Sequence, residues 1–288
     1  GGAGGDAVAG TAQLIVDSGA ARVTNLLVTA RGMGGTGDTG IQMSSSFSAG
    51  EAGDGTGGAA SVRAAGVGTS LALNSATITA NGASGEHGES IFQAFSGTSR
   101  GGTASLTVAS DGTLSLGGAT ALSATGSPAS GNAIPNMSNT GGTASFVADG
   151  ATVRSSAGAS LQVDSDATGP GASAGTSELL LTNADVILPS IIFSSQALTD
   201  TPATGRGGII RIRNEGSSSA PRQAASIIAD ASAANGTAGS ISLVDTAGAP
   251  LSLNGALTLR NAGLVDADDS FIDINGTGGT MTANSIAI

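Results

Sequence analysis

Apolar and polar residues alternate strictly through four short stretches of the chain. They read GTAQLIV from Gly10, GGAASVRA from Gly57, GGTASLTV from Gly101 and GGTASFVA from Gly141. One side carries Ala12, Leu14 and Val16, then Ala60, Val62 and Ala64. The same slots return as Ala104, Leu106 and Val108, and as Ala144, Phe146 and Ala148. The other side is mostly Ser, Thr, Arg and Gln. A period of two with one apolar side is a β-strand half buried against a core. Successive stretches begin their shared pattern 48, 44 and 40 residues apart. Fixed slots that recur at such intervals mark stacked structural repeats.

A second strand follows at a matching offset. Val28-Thr-Ala30-Arg-Gly32, Ile78-Thr-Ala80-Asn-Gly82 and Leu122-Ser-Ala124-Thr-Gly126 superpose without gaps. A weaker third strand is expected at Ile41–Met43, Ile91–Phe95 and Ala133–Ile134, beside Gly- and Ser-rich turns. After about residue 150 the pattern loosens but persists. Strands are expected at Ser177–Leu181, Asp185–Leu188, Ile191–Phe193, Ile209–Arg213, Ala225–Ile228, Ser240–Val244, Leu257–Leu259 and Phe271–Ile274. The Gly-rich lead returns at Gly236 and again at Gly276. The best helical candidate, 221–234, reads as strand and turn.

A strand with one apolar side must bury it, and stacking one repeat on the next does so while pairing the strand edges. The expected fold is therefore all-β: a parallel β-solenoid of about six coils, each with three short strands and Gly-rich turns. Leu14, Val62, Leu106 and Phe146 should stack in one column. The chain reads as a single segment, 1–288, with regular coils over 1–150 and more irregular ones over 151–288. The opening GGAGGDAV lacks a basic leader, and the closing GGTMTANSIAI reads as the start of another repeat. Both suggest a piece of a longer array.

Composition narrows the chemistry. The 288 residues include 48 Gly, no Cys, Trp or Tyr, one His, and basic residues that are all Arg. Thiol chemistry and a His- or Cys-built metal site lack their residues. A net charge of −11 leaves no basic face for nucleic acid. No apolar run is long enough for a membrane-spanning helix. Disorder by composition needs low hydropathy with high charge. Here mean hydropathy is positive.

The stretches GGTASLTVASDGTLSL from Gly101 and NGTGGTMTANSIAI from Asn275 resemble the β-strand repeats of large secreted bacterial surface proteins, of the filamentous-haemagglutinin and autotransporter-passenger type. The resemblance covers most of the chain, although the repeats here are longer and more variable. It implies a right-handed β-helix at the cell surface or outside a bacterium, acting as adhesin, stalk or filament. It supplies no catalytic residue to carry over.

Several residues invite a site. Gly32-Met-Gly34-Gly-Thr-Gly37 matches a dinucleotide fingerprint in letters but lacks the following helix, so it reads as a turn. His87, between Glu86 and Glu89, reads as a solvated turn. Asp266, Asp268, Asp269 and Asp273 are the densest acidic cluster and the one calcium candidate, on ligand type alone. Arg211 and Arg213 should share one outer face.

The sequence thus points away from an enzyme and a resident cofactor, and toward a structural rod. Its expected partners are further copies or repeats through the end coils, with surface glycan or protein as a second possibility through turns 31–57, 82–100 and 126–142. A β-helix enzyme acting on polysaccharide is the least favoured reading. It lacks Trp and Tyr platforms for sugar rings.

Overall fold

A computed structural model describes residues 2–37, 50–86, 97–128, 138–199, 205–264, 270–276 and 282–288. Among them there is no helix, and every strand pairing is parallel. The architecture is consistent with a β-helix or solenoid-like fold. Eight strands form the front sheet: Thr11–Val16, Ala59–Ala65, Thr103–Ala109, Thr143–Asp149, Thr176–Thr182, Ile209–Glu215, Ser240–Asp245 and Phe271–Gly276. Each pairs with the equivalent strand one repeat away, so spatial order follows chain order.

The register fixes the core columns. Leu14 pairs with Val62, Val62 with Leu106, and Leu106 with Phe146. The column continues through Leu179, Ile212 and Leu243 to Ile274. The column expected from sequence therefore exists and runs the whole length of the sheet. From Val62 to Leu243 its members are at most 1% exposed.

A back sheet of eleven strands closes the other side of the core. Four repeats cross it in one strand: Ala20–Thr29, Ser70–Thr79, Asp185–Ser194 and Arg222–Asp230. Others break in two, as at Thr113–Leu116 and Ala119–Ser123. The front-to-back corner needs left-handed backbone. Gly19, Gly66, Gly150 and Gly216 supply it, with Ser110, Asp111 and Asn183 taking the same conformation at a cost. Residues 221–234 hold the strand Arg222–Asp230, as the sequence suggests.

Beyond the back sheet the chain narrows into two ribbons of two-residue strands. One contains Gly32–Met33, Gly82–Ala83 and Gly126–Ser127; the other contains Gly55–Thr56, Ser99–Arg100 and Asn139–Thr140. The ribbons lie backbone against backbone. A Cβ on Gly82 would sit 2.0 Å from the Arg100 carbonyl oxygen, and one on Gly55 would sit 1.7 Å from that of Ala83. The Gly-Gly lead has the same cause. The N–H groups of Gly58, Gly102, Gly142, Gly175, Gly208 and Gly239 donate across the interior to carbonyls of Ala30, Ala80, Ala124, Ser165, Ser195 and Ala231, at 2.6–2.9 Å. Each bond ties one repeat to the repeat before it, at a point where no side chain fits.

Three expectations change. There are eight front strands rather than about six coils, because later repeats are shorter: register offsets fall from 48, 44 and 40 residues to 33, 33, 31 and 31. The first three repeats and the fifth have two long strand regions and two two-residue ribbon strands, and the fourth and sixth replace one ribbon strand by a single bridge at Ser173 or Ala233, so the repeats do not have three similar strands. The third strands expected at 41–43, 91–95 and 133–134 lie outside the described residues. Finally, the closing Ser285–Ala287 pairs with Ala256–Arg260 of the back sheet, so it completes the last repeat rather than opening another. Glycine marks both kinds of corner, which is why Gly276 resembles a lead.

Candidate functional site

A cleft of about 660 Å³ lies on the outer side of the last three front strands. Strand alternation places its residues. Ile210, Ile212, Ile241 and Leu243 point into the core and are at most 1% exposed. Arg211, Ser240, Ser242, Phe271 and Asp273 therefore point outward and line the cleft, with Arg206 and Thr237 from the adjoining ribbon. The outward register runs Glu178, Arg211, Ser242, Asp273. Arg206 stands beside Thr237. Among the described residues, the ion pairs are Arg63–Asp17, Arg154–Asp185 and Arg260–Asp230, so neither cleft arginine is in an ion pair there, and Glu178 is the register neighbour of Arg211. Phe271 is 49% exposed beside them.

Of the calcium candidates, Asp266, Asp268 and Asp269 lie outside the described residues. Asp273 lines the cleft with Arg206 and Arg211, whose charges oppose a cation. Among the described residues, no group of three His, Cys, Asp or Glu is placed to hold a metal ion. His87 and Glu89 also lie outside the described residues. Arg213 is exposed and Arg211 half-buried on one outer face, as the alternation requires. Gly32–Gly37 enters the ribbon and its following turn with no helix, so its glycines serve close packing: a Cβ on Gly34 would meet the Gly53 carbonyl oxygen at 1.9 Å.

Two polar groups escaped the sequence reading. Asp164 and Asp166 sit where the back sheet turns into its ribbon. Asp166 Oδ1 accepts hydrogen bonds from the Ser194 hydroxyl at 2.7 Å and from the Gln196 N–H at 2.6 Å. Asp164 Oδ1 accepts from the Asp166 N–H at 3.0 Å. Burial, then the Asp166 charge, pushes the Asp164 pKa up to about 7. Burial also raises Asp166, and its hydrogen bonds from Gln196 and Ser194 pull it back. The i, i+2 spacing of two carboxylates was the available signal.

The second group is inside. Arg222, 1% exposed, occupies a core slot whose register neighbours are Val186 and Leu251. Its guanidinium donates to the carbonyls of Ala184 and Ala249. Asn214 Nδ2 donates to Asp245 Oδ1 at 2.8 Å, and Asp245 Oδ2 accepts from the Leu251 N–H. Burial lowers the Arg222 pKa and the Asp245 charge partly restores it. This cluster fills the corner where earlier repeats place Leu181 and Val153. It is closed to ligands and holds the corner by hydrogen bonds to backbone.

Compared with known proteins, the chain matches no family model, no curated protein and no solved structure.

Proposed function

We propose that the chain is a rod-forming segment of a right-handed parallel β-solenoid, part of a large extracellular or cell-surface bacterial adhesin, stalk or filament. The observation that supports this reading most is the unbroken column from Leu14 to Ile274, with every repeat bonded chiefly to its neighbours. Such a stack gains length and stiffness one repeat at a time. Eight front strands at about 4.8 Å spacing span roughly 34 Å. Among the described residues, the edges of Thr11–Val16 and Phe271–Gly276 pair on one side only, and each would accept a further repeat or another copy by parallel pairing. The role is passive, with no catalytic group assigned. Electron microscopy of the purified protein, with fibre diffraction of aligned samples, tests it. Thin rods with a meridional spacing near 4.8 Å are expected. Globular particles would overturn it.

A second reading, recognition of glycan or host protein through the turns, draws on one feature. The turns 31–57, 82–100 and 126–142 follow equivalent back-sheet strands in successive repeats and shorten along the chain. Deleting those turns and repeating a glycan-array measurement tests that reading. Unchanged binding would end it.

A further inference from the structure

We propose that the cleft bounded by Arg206, Arg211 and Phe271 binds an acidic oligosaccharide. This site is separate from the turns, and its test reads ligand binding rather than rod formation. The chain carries an excess of 11 negative charges, yet this concavity presents two arginines with no carboxylate partner among the described residues. Guanidinium groups held in no ion pair attract carboxylate or sulfate in a concave wall, and each offers a planar fork that binds two oxygens at once. Phe271, half exposed at the same wall, offers an apolar surface to a sugar ring. Ser242 and Thr237 add hydroxyls for sugar hydroxyls.

The two ends of the cleft differ in sign. Asp273 stands two register steps from Arg211, about 9.6 Å at ordinary strand spacing. That is roughly twice the spacing between neighbouring strands. An anionic substituent would sit at the arginine end, and a neutral sugar unit at the Asp273 end would donate a hydroxyl hydrogen bond to its carboxylate. The arrangement thus orients the ligand as well as holding it. The volume of about 660 Å³ is within the usual range of small-ligand sites.

Isothermal titration with oligogalacturonate, a hyaluronan tetrasaccharide and a sulfated heparin-type oligosaccharide tests the site. Fully methyl-esterified oligogalacturonate and inorganic sulfate serve as controls. Binding of at least one acidic oligosaccharide is expected, with at least a tenfold loss on methyl esterification. The paired R206Q/R211Q variant should lose binding at least tenfold, and F271A about threefold. Both should keep the wild-type thermal midpoint, because these side chains point away from the core. Failure of all three ligands to bind overturns the proposal. So does equal affinity for the methyl ester, equal affinity for sulfate alone, or binding that survives R206Q/R211Q. A folded rod that fails this titration removes the cleft while leaving the proposed scaffold role intact.

Discussion

The wide compartment between front and back sheets and the narrow neck at the ribbons are built by opposite means. In the compartment, Leu106, Phe146, Leu122 and Leu161 are fully buried and fill space with side chains. In the neck, Gly101 and Gly102 bring backbone to backbone, and the stabilising contacts are hydrogen bonds across the interior. The first region loses stability when atoms are removed, and the second when atoms are added. One continuous repeat therefore contains two opposite rules for substitution.

The sharpest way to break this contrast is to remove volume from the compartment. Phe146→Ala should cost about 3–5 kcal/mol in chemical denaturation, through lost burial and a cavity beneath Leu106 and Leu179. A loss below about 1 kcal/mol would mean that the two walls collapse onto each other and that the column is not close-packed.

Adding one methyl to the neck comes next. Gly102→Ala places a Cβ 2.0 Å from the Gly58 carbonyl oxygen, so the neighbouring repeat must shift. A cost of about 3 kcal/mol is expected. Gly10 holds the equivalent slot one repeat before Gly58, yet a Cβ there meets nothing within 4 Å. Gly10→Ala should change stability by less than about 0.5 kcal/mol. Equal effects in thermal melts of the two variants would show that glycine serves conformation here rather than close approach.

The junction of the two regions should respond to pH. Burial and the neighbouring Asp166 charge push the Asp164 carboxyl up to about 7 in the folded chain, from an ordinary value of 3.8. Between those values the folded state holds a proton that the unfolded state has released. Its stabilising contribution is complete below about pH 4 and is lost as the pH rises through 7. Asp164→Asn should flatten this slope in chemical denaturation followed from pH 4 to 8. A slope unchanged in the variant would assign the titration elsewhere.

The smallest effect concerns buried hydroxyls beside the neck. Ser165 and Ser195 lie 3.1 Å apart and Ser165 and Ser177 2.9 Å apart, where other repeats use Ala124 or Ala231 and Ala104 or Ala144. Ser195→Ala alone should cost about 1 kcal/mol, because its partners lose a hydrogen bond. Replacing all three serines by Ala should restore most of that loss. If the triple variant is worse than the single one in the same melts, the hydroxyls contribute net stability.

Much of the architecture was legible at Ala12, Leu14 and Val16 and their later equivalents, because side-chain direction in a strand depends only on position parity. The later strands at Ile209 and Ser240 were legible for the same reason. The number of repeats was not, because shortening falls in the connections, where no slot pattern survives. The close of the chain was misaligned because glycine serves two different corners. At the cleft, Arg211 was placed on the correct face, but Arg206 and Phe271 were not linked to it. Arg206 precedes Arg211 across the corner from ribbon to front strand, whereas Phe271 comes from two repeats later and only register brings it alongside.

Sequence by itself determined the strands, their buried sides and the columns that they form, since alternation is local and the repeats align it. Tertiary structure decided which glycines are indispensable, where Arg222 is buried, and which outward residues share a concave wall. Those properties depend on the distance between chain segments 30 or more residues apart, and no local pattern encodes that distance.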